Sequence, residues 1–263
     1  IVEKYTKNED FHVYILLPLF PEGAPDSIPP LPVRYFQWQT IRGMKRELEQ
    51  RLQGANNNKT WRDYLSFYFL GNRTDTPGAN HANANRRRDK VRAGHRYMIY
   101  VHSKMMIVDD TWIIIGSANL NERSMSGSMD SEICVGMWAS PGEEARGLQT
   151  IGTFRKKLWD EHLGGGFCQS PQQNFPNFDA DEPQLPDTCQ AVQAAARNNL
   201  HDFVNGTTIS NPQNSIHHLM LWDLNNANFP TMPILDGRNT NDVWRVQPTS
   251  RGGGAVFPNA AFL

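Results

Sequence analysis

Apolar residues recur along this chain with two different periods. From Phe11 to Phe20 they run almost unbroken, rich in Val, Ile, Tyr and Leu, and stop at Pro21-Glu22-Gly23. That run predicts a buried strand. Pro25 to Pro32 reads as a proline-rich loop. Trp38, Ile41, Met44, Leu48 and Leu52 then recur three or four apart, which predicts a helix over about residues 37–53. Tyr64 to Leu70 reads as a second strand, and Gly78 to Arg96, polar and basic, as a surface loop. Tyr97 to Val108 reads as one long apolar strand. Asp109-Asp110-Thr111 is its turn, Trp112 to Ile115 the returning strand, and Ile133 to Trp138 another. Ser140-Pro141-Gly142-Glu143 carries the signals of a helix start, and Gly164-Gly165-Gly166 those of its stop. A further helix is expected from about Thr188 to Val204. Phe167 to Asp187 and the tail beyond Thr207 are rich in Asn, Pro, Gly and Gln, and read as loops packed over the core. Strands alternating with helices place the chain in the α/β class, and no internal repeat is visible.

Composition narrows the picture. The 263 residues are 39% hydrophobic and 20% charged, as in a soluble globular protein large enough for a sizeable core. A formal net charge of −1 gives no support to a nucleic-acid partner. Cys134, Cys168 and Cys189 are an odd number at scattered spacing, unlike a disulfide framework or a zinc site, and favour a reducing compartment. No stretch approaches the roughly 18 apolar residues of a membrane-spanning helix. The chain opens Ile1-Val2-Glu3-Lys4 without Met or a signal pattern, and is expected to be a piece of something longer.

The chemistry concentrates in residues 97–119. His102 and Lys104 are two apart on the expected strand, so both side chains leave one face. Their neighbours are apolar, and an ammonium among apolar groups needs either a fixed carboxylate or an anionic ligand. A phosphate would serve. Ser117 and Asn119, at the end of the returning strand, can reach the same spot. An imidazole, an ammonium, a hydroxyl and an amide together can bind a phosphoryl oxygen and exchange a proton with an ester oxygen.

His102-x-Lys104-x4-Asp109 followed by Gly116-Ser117-x-Asn119 resembles the HxKxxxxD motif of the phospholipase D superfamily. The run through Asn121, Arg123, Ser124, Asp130, Ser131 and Glu132 resembles the second such motif of the eukaryotic, plant-type enzymes. Tyr64 to Arg73 and Leu158-Trp159-x-Glu161-His162-Leu163-Gly164 are similar as well, so the likeness spans roughly residues 10–165. It implies a phospholipase-D-type α-β-α sandwich half-domain with a mixed sheet over 1–165, and an irregular, loop-rich C-terminal extension over 166–263 packed on it.

The resemblance also implies roles. The catalytic set is His102, Lys104, Asp109 and Glu132, with Lys104, Ser117 and Asn119 holding the phosphate. His102 is the general acid/base, Asp109 anchors the hairpin, and Glu132 fixes the histidine tautomer from behind. The reaction passes through a phosphohistidine and needs no metal or other cofactor, although Ca2+ is used by many plant-type relatives; the sequence shows no ligand set for it. None of the other seven histidines begins an HxK. The partners implied are therefore the missing N-terminal half, in the same chain or in a second subunit, and a phospholipid at a membrane surface. The implied location is cytoplasmic with peripheral membrane attachment.

The implied activity is hydrolysis of phosphatidylcholine-type lipids, with transfer to alcohols as a side reaction. Another phosphodiesterase or phosphatidyltransferase of the superfamily, or a non-catalytic half that binds lipid, stands as the alternative. Plainer readings go to several residues. Met98, Met105 and Met106 are expected as core filler, Asp110 as an ordinary turn residue, Arg86 to Arg96 as a solvated loop, and His217-His218 as without function. Arg123 is read as a phosphate ligand or a structural ion pair.

Overall fold

The computed structural model describes residues 1–18, 30–53, 58–73, 96–139, 150–205 and 218–222. The motif at Pro21–Gly23, the basic stretch 74–95, the helix start at Ser140, His217, the tail beyond residue 222 and the Met98 side chain lie outside what is described. In chain order the elements are α1 (Val2–Thr6), β1 (Val13–Leu16), α2 (Pro30–Arg51), a 3-10 turn (Trp61–Asp63), β2 (Leu65–Arg73), β3 (Arg96–Ile99), β4 (Lys104–Val108), β5 (Trp112–Gly116), α3 (Glu122–Met125), β6 (Cys134–Trp138), α4 (Ile151–Leu163), α5 (Pro186–Asn205) and β7 (His218–Leu221).

β2 organises a four-stranded mixed sheet. β1 pairs with its first half in parallel, Val13 opposite Leu65. β3 and β7 pair with it antiparallel, Leu70 lying opposite both Ile99 and Leu219. Alternation sends Phe67 and Phe69 to one face and Tyr68 and Leu70 to the other. The first pair packs with Tyr5 of α1, Ile41 and Leu48 of α2, and Phe203. The second pair packs with Trp159 and Leu163 of α4 and Ala191, Val192 and Ala196 of α5. Covered on both faces, β2 is buried throughout Leu65–Gly71, which is why its sequence reads as a continuous apolar run. The α/β class and the mixed sheet are those expected.

β4, β5 and β6 form a separate three-stranded antiparallel sheet. Here the structure corrects the sequence reading. The apolar run from Tyr97 to Val108 is not one strand; it divides into β3 and β4, which belong to different sheets, with Tyr100–Ser103 as the irregular crossing. Periodicity registers apolar character but not a change of sheet. Met105 and Met106 are not core filler either, being 42% and 48% exposed. Of the described β4–β6 side chains only Ile113 is buried.

The chain after residue 165 supplies more than loops. A compact run of turns leads from Gly164 to Leu185, and the helix that follows begins at Pro186, two residues earlier than expected. The tail, read as loop, contains β7, and His218, read as idle, is buried in that strand beside Gly71. Asn199 of α5 donates to the Leu219 carbonyl at 2.9 Å and fastens helix to strand. No described helix is long and apolar enough to cross a membrane.

His12 makes the core pH-sensitive. Its Nδ1 lies 2.9 Å from the Asp63 carbonyl and its Nε2 2.9 Å from Ser66 Oγ. A carbonyl only accepts, so Nδ1 carries the proton and Nε2 accepts. Burial pushes the ring down to about 4. An unfolded imidazole takes up a proton near 6.5, so between 6.5 and 4 the unfolded chain binds more protons and stability falls with falling pH. The contribution is complete above about pH 6.5 and gone below about pH 4, with a size of about 3 kcal/mol. Urea unfolding between pH 7 and 4 checks this: His12→Gln should flatten the slope, and an unchanged slope would assign it elsewhere.

Candidate active site

The β4–β5 hairpin builds the site from local rules. Val108 to Thr111 closes a tight turn, with Thr111 N–H donating to the Val108 carbonyl at 3.0 Å. Asp109 and Asp110 both sit at φ 51°, the left-handed region that aspartate tolerates better than most residues. The pairing that follows sets Lys104 opposite Gly116, and Gly116 opposite Cys134. Gly116 is required there: a Cβ would lie 2.5 Å from both the Ile133 carbonyl oxygen and the Cys134 Cβ.

This register brings one end of the meander together. His102 precedes β4, Ser117 and Asn119 follow β5, and Glu132 precedes β6. His102, Ser117, Asn119 and Glu132 are exposed and Lys104 is half-buried. The Lys104 ammonium donates to the His102 carbonyl, and the Tyr100 ring lies 6.1 Å from the His102 ring. Ser117 Oγ donates to Glu132 Oε2 and accepts from Ile133 N–H at 3.0 Å. Asn119 N–H donates to Ser124 Oγ at 3.0 Å. Hydroxyls of Ser117 and then Ser124, with a smaller contribution from Lys104, hold the Glu132 carboxyl below its ordinary value. Such a group offers an imidazole, a cation and several donors to an anionic ligand entering from solvent.

Asp109 and Glu132 have different surroundings. Asp109 is at the far end of the hairpin, roughly 15 Å from Lys104 at the rise of a strand, and shapes the turn. Among the described residues the Glu132 carboxylate accepts from Ser117 Oγ and makes no hydrogen bond to the His102 ring. Arg123 is resolved as an ion pair, its Nε 3.0 Å from Asp130 Oδ2. Among the described residues no group of His, Cys, Asp and Glu is arranged to hold a metal ion.

Residues 1–228 match the model of the family described as Phospholipase D. The chain belongs to the phospholipase D family. It is 42% identical to phospholipase D alpha 1 of Brassica oleracea var. capitata over 173 residues, which are 62% of this chain and 21% of that relative. Phospholipase D alpha 1 of Arabidopsis thaliana is 43% identical over 173 residues, with the same two shares. Phospholipase D delta of Arabidopsis thaliana is 41% identical over 170 residues, 62% of this chain and 19% of that relative. This phospholipase D family chain thus spans about a fifth of the length of the curated relatives it matches, and the likeness is to plant-type members.

Sequence reasoning left two features of this family member unassigned. Ser124 lies within the recognised run, but nothing in the run states that its hydroxyl accepts from the Asn119 N–H. Asp110 carries only a turn when read from the sequence. Its carboxylate receives Arg155 of α4 twice, Nε at 2.7 Å and Nη2 at 2.6 Å, and Arg155 also donates to the Ala180 carbonyl at 2.6 Å. A Cβ on Gly152, one helical turn earlier, would meet Asp110 Oδ2 at 3.0 Å, so the small residue admits the carboxylate. A 45-residue separation carries no local signal for such a pair.

Proposed function

We propose that this chain supplies one half of a phosphodiesterase site that cleaves the distal phosphodiester of glycerophospholipids such as phosphatidylcholine. The products are phosphatidic acid and the headgroup alcohol. The observation that carries the reading is the gathering of His102, Lys104, Ser117 and Asn119 at one solvent-facing end of the meander, in a chain whose plant relatives are named phospholipase D.

The reaction divides into two displacements. In the first, a histidine of the opposing half attacks phosphorus, a P–N bond forms, and the P–O bond to the headgroup breaks. His102 gives its proton to the departing alkoxide. In the second, His102 takes a proton from water, the water oxygen bonds to phosphorus, and the P–N bond breaks. An alcohol in place of water yields the transfer product. Lys104 balances the charge on the phosphoryl oxygens, and Ser117 and Asn119 orient them. The opposing half lies in the same polypeptide or in a second subunit, and the assembled enzyme works at the cytoplasmic face of a membrane, attached peripherally.

The assembled enzyme should release choline from phosphatidylcholine vesicles in step with phosphatidic acid, and added ethanol should divert product to phosphatidylethanol. An enzyme with both halves present and no choline release would overturn the proposal.

A further inference from the structure

We propose that Ser124 is a positioning residue for this reaction: its hydroxyl holds the Asn119 loop in place and so sets the polar groups around Lys104. The inference rests on the phosphodiesterase reading above.

Ser124 is the third residue of the one-turn helix α3. Its backbone is held independently of its side chain, because its N–H donates to Asn121 Oδ1 at 3.0 Å. Its hydroxyl oxygen accepts from Asn119 N–H at 3.0 Å. That leaves the hydroxyl proton to donate. The Glu132 carboxylate lies on that side, and the hydroxyl is the second-largest influence holding that carboxyl down, after Ser117. Ser117 closes the circuit by donating to the same carboxylate while accepting from Ile133 N–H.

The Ser124 hydroxyl holds one segment that flanks the phosphate-binding end, and Ser117 holds the other. Ser117 and Asn119 are exposed, and no apolar packing locks exposed side chains in place. The Ser117 hydroxyl is held by its bond to Glu132, and the Asn119 backbone by its bond to Ser124. Removing the Ser124 hydroxyl leaves the Asn119 N–H without its partner. The Asn121 cap survives the change, so α3 stays formed.

The test is choline release by the assembled enzyme against substrate concentration, for the parent, Ser124→Ala and Ser124→Thr. Ser124→Ala should lower kcat by about tenfold or more with KM little changed, the effect of a misplaced group rather than of lost ground-state binding. Ser124→Thr keeps the hydroxyl and should restore kcat. A Ser124→Ala enzyme with the parent's kcat would overturn the inference while leaving the function standing. A threonine variant as impaired as the alanine one would overturn it too, marking a packing role. A parent without turnover would sink the function and this inference together.

Discussion

His102→Ala should abolish choline release by the assembled enzyme, with turnover falling by about 10³-fold or more. A positioned acid or base contributes on the order of 10²–10⁴-fold to a proton-transfer step. In the mechanism proposed His102 serves in both steps, first as acid and then as base, so its removal acts on each. Lys104→Ala should follow at about 10²–10³-fold, the range for one preorganised electrostatic contact to developing charge. The two variants separate in how they fail. Alanine at 102 leaves the cation in place, so vesicle-bound substrate should still be held. Alanine at 104 removes the cation held beside His102 and should also weaken inhibition by inorganic phosphate. Both side chains face solvent or half-face it, so neither change opens a core cavity, and circular dichroism should remain that of the parent. Retained turnover in His102→Ala would remove the mechanism.

Arg155→Ala should destabilise the fold by about 3 kcal/mol, the lower end expected when one partner of a buried ion pair is deleted. Three observations set that magnitude. The Arg155 side chain is 10% exposed and Asp110 23%. The guanidinium also satisfies the Ala180 carbonyl. Its plane covers the Trp159 ring at 4.5 Å, so alanine loses packing as well as charge. Near the melting temperature this corresponds to a fall of roughly 6–12 °C. The exposed pair Arg123–Asp130, 52% and 38% exposed, gives the contrast. Breaking it should cost under about 1 kcal/mol, because solvent screens the attraction. A double-mutant cycle of Asp110→Ala with Arg155→Ala measures the coupling, and equal melting shifts for the Arg123 and Arg155 variants would refute the ranking. The Asp110–Arg155 pair also fixes the hairpin's turn end to α4, so loss of stability and loosening of the site should appear together.

The candidate site was legible wherever its rules are local. The Asp109-Asp110-Thr111 turn with its returning strand carried Ser117 back toward Lys104, whereas His102 lies in the crossing before β4, where strand alternation does not apply. The helix stop at Gly164 was equally plain; this residue sits at φ 129°. The separation of β3 from β4 was not legible, because both halves of the run are equally apolar and only their partners differ. β7 was hidden for the opposite reason. Its four residues lie in a tail whose Asn and Pro content masks them, and they become a strand because β2 offers them the edge opposite β1, with Tyr68 lying between Leu16 and Leu221.

Turn chemistry, side-chain alternation and apolar period act over a few residues, so the hairpin, the reactive residue types and the α/β class could be read before any fold was known. Which strands share a sheet, that Glu132 accepts from Ser117, and that Asp110 belongs to Arg155 emerged only from the folded chain. Those outcomes depend on which distant groups meet to satisfy edges and buried charges, and short-range pattern holds no record of such meetings.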